Sequence, residues 1–243
     1  MKPDIEVVTD TAELAERCAA QVVLAARATL SERRVFRFCV SGGNTPRAVY
    51  RRLAQPDLSQ QIEWQRVQLF FGDERCVPPK HEQSNFRMLE ENLLAHVPIP
   101  SANVYRIAGE VEANKAAREY AERLHGLLGV NDDGQPRAGF DLVFLGLGTD
   151  AHTASIFPGS NSAPVDWVAA RQQPETQQWR VTLTEPVLNA ARQVMFIVSG
   201  KDKAATLAAV LEAPRDPVRM PAQRIEPRGT LHYWLDAAAA ARL

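Results

Sequence analysis

Asp150 and His152 are separated by Ala151 alone, directly after an apolar run, and are the residues best suited to acid–base chemistry in this 243-residue chain. A carboxylate so near in sequence can orient an imidazole and fix its tautomer, leaving the ring free to act as a general base. The competing reading is a helix-capping aspartate beside a structural histidine. A second group is Ser41-Gly42-Gly43-Asn44-Thr45-Pro46. Its glycines let backbone approach a ligand, Ser41, Asn44 and Thr45 add donors, and Pro46 suits a first helical turn. Amides at a helix start favour an anion, phosphate above all, although the same residues could simply form a tight turn with capping hydroxyls. The segment is neither a Walker loop nor a GxGxxG turn. A third group, Gly72-Asp73-Glu74-Arg75, follows Leu69-Phe70-Phe71. Arg75 can hold a carboxylate, a phosphate or a developing oxyanion, with Asp73 beside it as a binding candidate. An Asp73–Arg75 pair that braces the loop is the alternative.

Further cations stand in reach of such a site. Arg180 lies in an apolar-alternating run, and Lys201 and Lys203 open a helix where their charge opposes its dipole. An anion explains that placement, and a solvated helix start explains Lys201 equally well. His81, His96, His125 and His232 have no comparable setting and are read as surface or packing residues. Cys18, Cys39 and Cys76 form no Cys-x-x-Cys pair and none is spaced from a histidine as a metal ligand would be. The expectation is therefore no disulfide framework, no metal and no cofactor, in a reducing compartment. Cys18 and Cys39 are read as core thiols, and Cys76, beside the charged motif, as the one with a chance of reactivity.

The elements between these groups must bring them together. Periodicity predicts a helix over 10–30 with a capping-box-like start at Asp10 and Glu13, and a strand over 35–40. A helix follows Ser41–Pro46, then a strand over 66–71, a helix from Ser84 ending before Pro98, and a helix over 114–128 stopped by Gly129. Residues 131–139 read as a surface loop, and 140–148 as a strand apolar on both faces, which belongs in the middle of a parallel sheet. Strands over 179–184 and 194–199, a helix over 201–213, a last and edge strand His232-Tyr233-Trp234-Leu235-Asp236, and a helical alanine run over 237–241 complete the chain. This alternation predicts one doubly wound α/β domain over 1–243, Rossmann-like, with a mostly parallel sheet and helices on both faces. Such folds bind ligands at the carboxyl ends of their strands, where all three polar groups fall.

Composition sets the outer bounds. Hydrophobic residues make up 45% and charged residues 23%, and the net charge is −1. That balance argues against a nucleic-acid or membrane-surface partner, both of which call for an excess of Lys and Arg. No apolar run approaches a membrane span, and the start lacks a signal core, so a cytoplasmic protein is expected, as a monomer or small homo-oligomer.

Taken in order, SGGNTP, LFFGDERCVP, QSNFRMLEENLL, FDLVFLGLGTDAHTASIFPGS, RVTLTEPVLNAARQVMFIVSGKDKA, MPAQ and YWLDAAAA resemble the 6-phosphogluconolactonase family, of the glucosamine/galactosamine-6-phosphate isomerase superfamily. The resemblance runs from about Val35 to the end. It implies hydrolysis of 6-phospho-D-glucono-1,5-lactone in the oxidative branch of the pentose phosphate pathway, with that phosphosugar lactone as partner. It also implies that Ser41, Gly42, Gly43, Asn44 and Thr45, with Arg180 and Lys203, hold the phosphate. Arg75 would line the sugar-acid end, and His152 would activate water, positioned by Asp150. Two departures stand out. The family usually has Asp-Gly-His at Asp150-Ala151-His152 and Asp-Ser-Asn at Gln83-Ser84-Asn85. If that glycine takes a positive φ, alanine there costs on the order of 1 kcal/mol. Ser155 lacks a nucleophile elbow. An isomerase/deaminase on the same fold resembles Asp-Glu-Tyr at Asp73-Glu74-Arg75, so the arginine favours the lactonase. A non-catalytic phosphosugar-sensing domain of a transcription regulator would need a helix-turn-helix that this chain does not show.

Overall fold

The computed structural model describes residues 3–160 and 166–243. Strand β1 (Asp4–Val8) leads through Asp10 into α1 (Thr11–Glu32). The Asp10 carboxylate accepts from the Ala12 and Glu13 amides at 2.9 Å, and Glu13 reaches back to the Thr9 amide, so this start is capped from both sides. Next come β2 (Phe36–Val40), α2 (Asn44–Leu53), the single turn α3 (Pro56–Ser59), β3 (Val67–Phe71) and β4 (Asp73–Arg75). Helix α4 (Asn85–Asn92), β5 (Val104–Tyr105), α5 (Ala113–Leu128) and β6 (Leu142–Leu145) follow. The rest comprises β7 (Val168–Gln172), β8 (Trp179–Leu183), α6 (Glu185–Asn189), β9 (Gln193–Val198), α7 (Ala204–Glu212) and β10 (Thr230–Asp236).

Seven strands make one parallel sheet in the order β1-β10-β9-β6-β2-β3-β5. From β2 the chain moves outward through β3 to β5, then returns to the other side of β2 with β6, β9 and β10. The order reverses beside β2, so the loops after β2 and β6 diverge and open a crevice at the carboxyl edge. Every residue of β6 is buried, as its doubly apolar sequence requires. Phe38 and Phe144 meet edge to face at 4.9 Å in the middle of this core, and Cys18 and Cys39 are fully buried within it.

Four expectations are corrected. The strand at 179–184 does not join the main sheet: β8 is the centre of a separate antiparallel sheet, β4-β8-β7. Strand β10 is interior and not an edge, because β1 pairs along its outer side. β1 escaped notice because its residues are mostly exposed, which leaves Asp-Ile-Glu-Val-Val without an apolar run. Residues 237–241 form turns instead of a helix, the first closed by the Asp236 carboxylate accepting the Ala239 amide at 2.7 Å. So short a run does not outweigh helix nucleation. The helix over 201–213 begins as a 3-10 turn, Lys201–Lys203, and becomes α7 only at Ala204.

Candidate active site

The loop after β2 is fastened at its root by Tyr50, whose hydroxyl accepts from the Ser41 amide at 3.0 Å and donates to the Ser41 carbonyl at 2.8 Å. Gly43 has φ 111° and stands as the N-cap of α2, with no side chain capping the helix. The capping alternative for Ser41, Asn44 and Thr45 is therefore not what the structure shows, and the α2 amides are left for a ligand. Gly42 packs so closely on Asn85 that an added Cβ would lie 2.0 Å from its Oδ1. Thr45 Oγ1 and Ser199 Oγ are 2.6 Å apart, which joins the ends of β2 and β9.

The loop after β3 is braced, but not by an Asp73–Arg75 pair. Buried Glu74 does that work, accepting from the amides of Asn85, Phe86 and Arg75 at 2.7–2.8 Å and from Ser84 Oγ at 3.0 Å. Burial pushes its carboxyl up while these hydrogen bonds pull it down. Asp73 is also buried, and its carboxylate accepts from Ser155 Oγ at 2.6 Å and Asn85 Nδ2 at 3.0 Å. Asn85 and Ser155, to which the sequence assigned no part in the site, thus tie all three loops together. Arg75 Nη1 donates to the Gln83 carbonyl at 2.6 Å.

The loop after β6 carries the acid–base pair. Asp150 Oδ1 is 2.5 Å from His152 Nδ1 and also accepts the His152 amide at 3.2 Å. No helix starts at Asp150, so its carboxylate holds His152 Nδ1 instead of capping, and Nε2 is the ring nitrogen it does not engage. Burial works to raise the Asp150 carboxyl, but the His152 charge and hydrogen bonds outweigh it and hold Asp150 below the usual aspartate value. The Phe157 ring lies 5.2 Å from the imidazole. Ala151 is buried at φ 67°, in the left-handed region where glycine is preferred, so the departure from Asp-Gly-His carries backbone strain.

These loops enclose a cleft of about 500 Å³. Ser41, Gly42, Gly43, Asn44 and Thr45 line one side, Asp73, Arg75 and Arg180 another, and His152 and Lys203 complete it. Asp150 stands behind the imidazole, outside the lining. Ser199 and Asp202 also line the cleft and were missed. Ser199 follows β9 as Ser41 follows β2, and that shared strand-end position was the available signal. Lys201 is exposed and does not reach the cleft. Burial, then Glu74 and Glu112, push the Cys76 thiol up, which disfavours the reactive thiolate there. Among the described residues no cluster of His, Cys, Asp and Glu could hold a metal ion, and no helix is long and apolar enough to cross a membrane.

A crevice at the switch point of a doubly wound sheet, lined by uncapped helix-start amides, cations and an aspartate-bonded histidine, defines an α/β protein with the features suited to a small anionic ligand. The chain belongs to the family described as glucosamine-6-phosphate isomerases/6-phosphogluconolactonase, whose model matches residues 9–234. A 6-phosphogluconolactonase of Synechocystis sp. is 34% identical over 244 residues, covering 100% of this chain and 99% of its own length. The solved structure of 6-phosphogluconolactonase from Trypanosoma brucei is 30% identical with a TM-score of 0.88, covering 100% of this chain and 99% of its own. A monomeric glucosamine-6-phosphate deaminase, 16% identical with a TM-score of 0.84 over 99% of this chain and 100% of its own, shares the fold.

Proposed function

We propose that this chain hydrolyses 6-phospho-D-glucono-1,5-lactone to 6-phosphogluconate, in the oxidative branch of the pentose phosphate pathway, with His152 as general base. The observation that carries the reading is the Asp150–His152 contact at 2.5 Å, which sets His152 in one cleft with the α2 amides, Arg180 and Lys203. The substrate docks by its phosphate on the Ser41–Thr45 loop, Arg180 and Lys203. His152 Nε2 takes a proton from water as the water oxygen attacks C1. Arg75 faces the charge that develops on the carbonyl oxygen; of the 146–152 loop amides, those of Gly148, Ala151 and His152 are already engaged within the loop, which leaves the others as candidates. Collapse breaks the C1–ring oxygen bond, and His152 returns the proton to the departing oxygen. The enzyme acts as a single domain, as a monomer or small homo-oligomer. An odd set of three cysteines with no Cys-x-x-Cys pair supports a cytoplasmic setting.

The test is the ratio of kcat/KM for phosphorylated and unphosphorylated lactone. Losing one charge-assisted hydrogen bond weakens binding by roughly ten- to a hundredfold. Lys203→Ala and Arg180→Ala should raise KM for the phosphorylated lactone and remove most of the preference, while Lys201→Ala changes little. An unchanged ratio in both variants would place the phosphate elsewhere. Ammonia release from glucosamine 6-phosphate, assayed alongside, should stay at background.

A further inference from the structure

The two arginines of the cleft are held in place by groups that carry no charge. Strand register sets Arg75 opposite Arg180 and Arg180 opposite Arg171, so three guanidinium groups start from one cross-strand row. Like charges placed directly opposite destabilise a sheet. Two carboxylates lie near enough to act on Arg180, yet the hydrogen bonds of Asp73 go to Ser155 and Asn85, and those of Glu74 to the start of α4 and the Arg75 backbone amide, not to either guanidinium. Among the described residues neither Arg75 nor Arg180 forms an ion pair.

Their partners are amide oxygens. Arg180 Nη2 donates to Gln173 Oε1 at 2.5 Å, and the Thr176 hydroxyl donates to that same oxygen at 3.1 Å, which fixes how the amide faces. Arg75 Nη1 donates to the Gln83 carbonyl, and Gln178 Nε2 donates to Gln83 Oε1 at 2.7 Å. Gln173 and Gln178 close the β7–β8 hairpin through a backbone hydrogen bond of 2.9 Å. The hairpin is therefore strapped to both arginines. The Nε atoms of Arg75 and Arg180 are buried with no hydrogen-bond partner among the described residues, so each keeps an unused donor. A carboxylate in place of these oxygens would orient the guanidinium and also neutralise it. An amide oxygen orients it and leaves its charge to the ligand.

We propose that Gln173 is a positioning and specificity residue: it aims Arg180 without neutralising it, and so sets the preference for the phosphorylated lactone. The proposal rests on Arg180 being a phosphate ligand. Gln173→Glu tests it, because the change is nearly isosteric, preserves the acceptor and adds a negative charge. The full-length variant is assayed for kcat and KM on both lactones, beside Gln173→Ala and Arg180→Ala. The expected result for Gln173→Glu is a KM for the phosphorylated lactone raised roughly tenfold, with most of the preference over the unphosphorylated lactone lost and Tm not lowered; Gln173 also lines a cavity shared with Asp150 and His152, so the readout is the ratio between the two lactones, in which an effect on the common base cancels. Gln173→Ala should raise the same KM by a smaller factor through lost orientation. If Arg180→Ala raises KM but Gln173→Glu keeps the wild-type preference, Gln173 only shapes the hairpin and the proposal is overturned. If Arg180→Ala leaves the preference intact, the phosphate reading itself fails, and this inference fails with it.

Discussion

Gly148→Ala should disable the enzyme while leaving it folded. A Cβ built on Gly148 would lie 2.1 Å from His152 Nδ1, 2.4 Å from its Cε1 and 2.5 Å from Asp150 Oδ1. Carbon contacts settle at about 3.5–4.0 Å, so the imidazole must retreat by more than about 1 Å. Its side chain is 31% exposed and that of Asp150 is 42% exposed, so both can swing toward solvent without breaking the core. A displacement of about 1 Å in a catalytic group can cost about a hundredfold in rate, or roughly 2.7 kcal/mol in the barrier. The expected outcome is a kcat about a hundredfold lower, with KM for the phosphorylated lactone little changed, since the phosphate-holding groups lie on other loops. Acid release at constant pH, corrected for spontaneous hydrolysis, gives both constants, and a melting curve checks the fold. A kcat within about threefold of wild type, in a folded variant, would refute the claim that this seat places the imidazole for chemistry.

Two other substitutions follow from the same loop. Ala151→Gly relieves left-handed strain of about 1–2 kcal/mol but loses a buried methyl worth about 0.8 kcal/mol and frees the unfolded chain by about 0.4–1 kcal/mol. These nearly cancel, so Tm should stay within a few degrees and activity should persist; a large fall in kcat would mean that the methyl itself seats His152. Asp150 is held below its usual value, so it titrates first in the unfolded chain. Its stabilising contribution is present above the ordinary aspartate range and is lost as pH falls through the lower folded value. Wild type should therefore lose more Tm than Asp150→Asn between about pH 6 and about pH 3, and equal losses would contradict the pairing.

The parallel sheet and its three strand-end loops were legible because the signals are local. An apolar run as short as Leu142–Leu145, bounded by a loop before it and by glycines and charge after it, fits a buried strand better than a helix, and those flanking residues mark the open end. The small antiparallel sheet was not legible. β4 is Asp73-Glu74-Arg75, three charged residues that look like loop, and only pairing with β8 makes it a strand. The same pairing creates the arginine row, which no spacing in the chain reveals. The buried roles of Asp73 and Glu74 depend on Asn85 and Ser155, the latter 82 residues from Asp73, and no periodicity connects such positions. β10 was misplaced at an edge because β1 offers no apolar pattern to announce its cover.

The most direct measurement is the turnover of His152→Ala on freshly prepared 6-phosphogluconolactone. With the general base removed and Arg180, Lys203 and the α2 amides intact, kcat should fall by roughly 10²–10⁴-fold with little change in KM. Turnover near the wild-type rate in the folded variant would contradict the assignment of His152 as the group that activates water.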